Sequence, residues 1–167
     1  MMITNDRARR GDILIFKRHG LLASILSWLL QKFEPSYDRW GWHVAIIEEV
    51  CSMGCWIIEA REEGVNIHYL SEQEFKTKCR TARLLKKKPT RAQMEKFLWR
   101  HIGEEYDKDV YIQTILQVLL WKLFKIRIGR EFDRQQTCWE LGAIFLREMG
   151  EPVTPIYRYP LITDFVK

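Results

Sequence analysis

The chain has 167 residues, a length that fits one domain of ordinary size, and 47% of them are hydrophobic, enough to build a core. Gly and Pro are few, at 9 and 5, which excludes a fibrous or low-complexity chain. The formal net charge is +5, and the basic residues fall in scattered groups with no aromatics interleaved, so a nucleic-acid partner is not expected.

The residues before the first apolar run read as a polar tail without a secretory signal, and a cytoplasmic location is expected. Gly11-Asp12 opens Ile13-Leu14-Ile15-Phe16, a short buried strand, with Asp12 as a turn or salt-bridge residue. Leu21–Phe33 reads as an amphipathic helix, too short to cross a bilayer. It suits packing on the sheet, one wall of a groove, or contact with a membrane surface. Pro35 breaks the chain. Val44-Ala45-Ile46-Ile47, headed by His43, is a second strand, and residues 55–60 return beside it as a hairpin.

With the turn centred near Ser52, His43 comes opposite Arg61, and Glu59 lies one diagonal step away. Residues 65–70 and 79–85 read as two further strands. Thr90 starts a helix over 91–101, and residues 110–123 form another. Residues 156–159 suit a short last strand. Between these lies Thr137-Cys138-Trp139-Glu140-Leu141. Thr137 is a helix cap, and Leu141, Ile144, Phe145 and Met149 recur at helical spacing.

A thiol in a first helical turn faces unpaired N–H groups and the positive end of the helix dipole, and both favour the attacking thiolate. Cys138 equally fits a small buried hydrophobe. The other cysteines, Cys51, Cys55 and Cys79, have irregular spacing, so free thiols are expected, with no metal and no cofactor. Cys138, His43 and Glu59 together supply the three roles of cysteine acyl transfer: nucleophile, proton carrier, and the group that orients the imidazole. His19, His68 and His101 rank below His43, because none heads a strand pair that also delivers a carboxylate. The N–H of Cys138 is the natural oxyanion donor, with Gln135 or Gln136 as an added amide.

Five segments in order carry a resemblance. They are Gly11-Asp12-Ile13-Leu14-Ile15-Phe16, Trp42-His43-Val44-Ala45-Ile46-Ile47, Ile58-Glu59-Ala60, Gly103 to Asp107, and Cys138-Trp139-Glu140-Leu141. Their order resembles the circularly permuted branch of the NlpC/P60 papain-like superfamily, in which the His motif precedes the Cys helix. The resemblance spans roughly residues 11 to 150. It implies one α+β domain over 1–167, with a small antiparallel sheet packed against helices in permuted papain-like order. It also implies Cys138 as nucleophile, His43 as base and acid, and Glu59 as orienter, with Tyr106 near the cleft.

Trp139 stands where the family often has a small hydroxyl residue, and Trp40 and Trp42 crowd the approach to His43. Trp42, Tyr106 and Trp139 are therefore the candidate substrate-binding residues. The expected activity is hydrolysis of an amide, in a peptide or cell-wall-type bond. The same site also suits an ester or thioester, as hydrolase or acyltransferase, for which Leu21–Phe33 offers a place for an acyl chain. The third reading is a binding domain that kept the fold without catalysis.

Overall fold

The structure, a computed structural model, describes residues 8–17, 41–82, 84–106 and 135–151, with seven isolated helical positions at 24, 28, 31, 32, 120, 123 and 124. The side chains of Trp42, Gln135 and Gln136 lie outside this description, as do most of the expected helices at 21–33 and 110–123 and all of the expected strand at 156–159. In order, the described elements are β1 (Ile13–Lys17), β2 (Gly41–Cys51), β3 (Gly54–Arg61), β4 (Gly64–Ser71), α1 (Glu72–Lys78), β5 (Cys79–Ala82), α2 (Arg91–His101), β6 (Glu105–Tyr106), β7 (Gln135–Gln136) and α3 (Cys138–Glu148). The first five strands make an antiparallel sheet in the order β4-β3-β2-β1-β5. The described part is a small α+β domain, with this sheet packed against three helices.

The unbroken apolar runs of β1 and β2 follow from where the core sits. Both faces of the sheet are covered. One face carries Ile13, Ile15, Val44, Ile46, Ile58 and Ala60 against Met94 and Phe97 of α2 and Leu141 and Phe145 of α3. The other carries Leu14, Ala45, Ile47 and Ile57 against Phe75 of α1. Alternate residues therefore meet different helices, and no position in the strand centre can be polar without a partner. Burying each large apolar side chain contributes roughly 1.5–3 kcal/mol before entropy is counted.

Two expected boundaries move. The strand beginning at Cys79 ends at Ala82, and α1 precedes it where no helix was expected. Helix α1 is closed by a capping box, in which Ser71 accepts from the Glu74 N–H at 3.3 Å and Glu74 accepts from the Ser71 N–H at 3.3 Å. Asp12 behaves as expected, since its buried carboxylate accepts the Arg9 N–H at 3.0 Å and pairs with the Arg9 side chain.

Two features of the backbone set the positions that matter next. The β2–β3 turn is Ser52-Met53, since Cys51 pairs with Gly54. A regular hairpin on that turn would put His43 across from Glu62 and send Glu59 to the opposite face. The register shifts between Ile47 and Glu49, so that Ile46 pairs with Ile58. Continued to the strand end, this puts His43 opposite Arg61, with Glu59 one diagonal away on the same face. The bulge does what a turn centred on Ser52 was expected to do.

The β3–β4 turn, Glu62-Glu63, closes on Gly64, whose φ is +96° and whose Cβ, if present, would lie 2.5 Å from the Glu104 carbonyl oxygen. That approach is reinforced by hydrogen bonds from Val65 N–H to Glu104 O and from Gly103 N–H to Val65 O, both 2.9 Å. It ties the end of α2 to the mouth of the β3–β4 hairpin. Gly64→Ala is expected to destabilise the protein by about 1–3 kcal/mol, through the left-handed backbone and the carbonyl clash together. Chemical denaturation of both proteins measures the difference; an unchanged midpoint would show that the turn relaxes freely.

Candidate functional site

Helix α3 begins at Cys138 because of what flanks it. Thr137 is extended, with φ −92° and ψ 162°. Its hydroxyl accepts the Glu140 N–H at 3.1 Å, and the Glu140 carboxylate accepts the Thr137 N–H at 3.0 Å. This buried capping box satisfies the N–H groups of Thr137 and Glu140. The N–H groups of Cys138 and Trp139 sit in the same first turn, which has no intrahelical acceptor for them. The end of the helix nearest the thiol is therefore suited to a developing negative charge.

The start of α3 is held from the other side by β7, which runs parallel to β6 and pairs Glu105 with Gln135 and Tyr106 with Gln136. A ladder of two residue pairs thus brings Tyr106 beside the segment leading into Cys138. Helix α3 packs on the face of β2 and β3 that carries Val44, Ile46, Ile58 and Ala60, the residues that alternate with His43 and Glu59 along those strands. Cys138 itself is buried, at 4% exposure.

His43 is the point where these elements meet. Its ring lies edge-on to Phe16, with centroids 5.3 Å apart. Its Nε2 is 2.7 Å from Glu59 Oε2. Cys138 lies near enough to the same ring to raise its pKa. With Nε2 engaged by Glu59, Nδ1 is the ring nitrogen left for the sulfur. Burial pushes the His43 pKa down. The proximity of Cys138, with the hydrogen bond and charge of Glu59, more than reverses this and raises it to about 10.

Glu59 has no exposed surface. Its second oxygen, Oε1, is 2.7 Å from Arg61 Nε and 3.9 Å from His68 Nε2. Burial alone would raise its carboxyl pKa; the hydrogen bond and charge of His43, together with Arg61, outweigh burial and hold it below the ordinary 4.5.

A cleft of about 300 Å³ opens beside this group, lined by His43, Ala60, Arg61, Glu62, Glu63 and Tyr106. Of the six candidate residues, His43 and Glu59 are in hydrogen-bond contact, and Cys138 is near enough to the ring to act on its charge. Tyr106 lines the cleft. Trp139 is buried in the main core at 2% exposure and is not among the cleft's described lining residues. The side chain of Trp42 lies outside the described residues. Arg61 and His68 were not expected at the site. Arg61 is two residues after Glu59 and so shares its face, a signal that becomes readable once the strand register is known.

Elsewhere, the thiols of Cys55 and Cys79 are pushed up by burial to about 11 and about 12. Among the described residues, no three His, Cys, Asp or Glu side chains are grouped as a metal site requires, and no helix is long and apolar enough to cross a membrane. Within the expected amphipathic segment, Trp28 is 55% exposed, with the Lys32 ammonium 5.7 Å from its ring centre. No protein-family model matches the chain, and no curated protein matches it.

The depressed carboxyl of Glu59 makes a stability prediction with a definite sign. Because its folded pKa lies below 4.5, its contribution is complete above that pH and is lost as pH falls through the folded value. Glu59→Gln is therefore expected to cost about 1–3 kcal/mol near pH 7. The gap to the parent protein should close in acid, as measured by urea unfolding across pH. A gap independent of pH would mean that Glu59 is not held ionised by its neighbours.

Proposed function

We propose that the chain is a cysteine-dependent hydrolase of papain-like, NlpC/P60 type in circularly permuted order, acting on an amide in a peptide or cell-wall-type substrate. The observation that supports this reading is the His43 ring, held by Glu59 at 2.7 Å and close enough to Cys138 for the sulfur to raise its pKa. Glu59 fixes which nitrogen faces the sulfur, and His43 holds the proton that the thiol gives up.

The chemistry then follows in two stages. The Cys138 sulfur attacks the carbonyl carbon, forming a C–S bond while the carbonyl electron pair moves to oxygen. The N–H of Cys138 faces that oxyanion. Collapse re-forms the carbonyl and breaks the C–N bond, and the departing amine takes the proton from His43. Water next attacks the thioester and gives a proton to His43. Collapse of that intermediate breaks the C–S bond, releasing a carboxylic acid and restoring the thiolate and the imidazolium.

The burial of Cys138 limits access to its sulfur to a slim group. The cleft is lined in part by Arg61, Glu62, Glu63 and Tyr106, whose polar groups suit the amide groups of a peptide-like substrate. An ester or thioester would undergo the same two stages, with an alcohol or thiol as leaving group.

The test is alkylation of Cys138 followed by intact mass, in a Cys51→Ser protein that removes the exposed competitor. An unassisted thiol with an ordinary pKa is only about 1% thiolate at pH 6.5. Cys138 is expected to react readily at that pH, and His43→Ala is expected to slow it by about tenfold or more. Cys55 and Cys79 should stay unlabelled until the protein is unfolded. Equal rates with and without His43 would remove the basis for the reading.

A further inference from the structure

The residue that completes the site is Arg61. It lies at the end of β3, lines the cleft, and is half-exposed, yet its Nε reaches the fully buried Glu59 carboxylate at 2.7 Å. Glu59 therefore has two cationic neighbours on separate oxygens, with His43 on Oε2 and Arg61 on Oε1.

This division matters because the proposed cycle changes the charge on one of the two neighbours. When His43 gives its proton to the leaving group it becomes neutral, and Glu59 is left buried beside an uncharged ring. A buried carboxylate without a cation is strongly disfavoured. If Arg61 were absent, that cost would fall on the proton transfer itself, and His43 would hold its proton more tightly. With Arg61 present, the carboxylate keeps a partner at every stage.

Resting on the hydrolase reading above, we infer that Arg61 is a positioning residue: through its ion pair with Glu59 it sets how readily His43 releases its proton. His68, 3.9 Å from the same Oε1, is too distant to replace it by a direct hydrogen bond. Among the described residues, the other polar or charged groups near this network include Cys138 on α3, Cys79 on β5, Tyr106 on β6, and Glu62 and Glu63 at the cleft edge. Phe16 on β1 meets the His43 ring as an uncharged edge.

The test reads the titration of the His43 ring directly by NMR, so it does not depend on a substrate. In a Cys138→Ala background, the added change Arg61→Gln is expected to raise the His43 midpoint by about one pH unit, a tenfold tighter hold on the proton. Arg61→Lys, which keeps the charge, is expected to return the midpoint most of the way to that of the Cys138→Ala parent. Arg61→Met serves in place of Arg61→Gln if the latter does not give a folded spectrum. A midpoint unchanged or lowered on loss of the Arg61 charge overturns the inference.

The hydrolase reading is judged separately, by the parent protein against Cys138→Ala. A His43 midpoint that falls when the sulfur is removed supports the Cys138–His43 pair. Equal midpoints contradict that pair whatever Arg61 does.

Discussion

The site depends on one buried carboxylate. Glu59 has no contact with solvent and remains ionised because His43 and Arg61 each hold one of its oxygens. Take away either neighbour and the charge becomes costly to keep. Hydrogen-bonding Nε2 holds the ring, so the imidazole is oriented by a group that the sheet buries completely. The precision of the site therefore comes from the core, and the exposed cleft follows from it.

Burying that carboxylate on the correct face is a matter of register. Strands β2 and β3 are joined by a two-residue turn that by itself would separate His43 and Glu59 onto opposite faces. The bulge between Ile47 and Glu49 corrects the parity by one residue. It also falls beyond the run Val44-Ala45-Ile46-Ile47, so both faces of the strand stay buried up to that point. Cys138 is placed by different means. A buried capping box from Thr137 to Glu140 starts α3 at Cys138, and the short β6–β7 ladder anchors the chain just before it. The backbone around the thiol is therefore held from both sides.

Much of this architecture was readable in the residues. Ile13 to Phe16 and Val44 to Ile47 are too apolar for anything but doubly buried strands, and Thr90 and Thr137 announce their helices by capping chemistry. The diagonal relation of His43 and Glu59 was also legible, because hairpin geometry converts sequence distance into spatial position. Helix α1 was hidden because it has seven residues and a single buried one, Phe75, so it carries almost no periodic signal even though Ser71 and Glu74 form its cap. The β6–β7 pairing joins residues about 30 apart through only two pairs, and no local pattern encodes it. Arg61 could be placed opposite His43, but its pairing depends on which way a long side chain turns, and that is decided by the buried charge beside it. Trp139 was open between a pocket wall and the core, and packing against the sheet puts it in the core.

The most direct test of the central claim is to trap the acyl-enzyme. The protein is mixed with an activated acyl amide of a short peptide and quenched in acid within seconds, and its intact mass and proteolytic fragments are read. One acyl group is expected, carried on Cys138, and it should disappear on longer incubation. The adduct should be absent in Cys138→Ala and strongly reduced in His43→Ala. Acylation at any other residue, or equal acylation with and without His43, would contradict it.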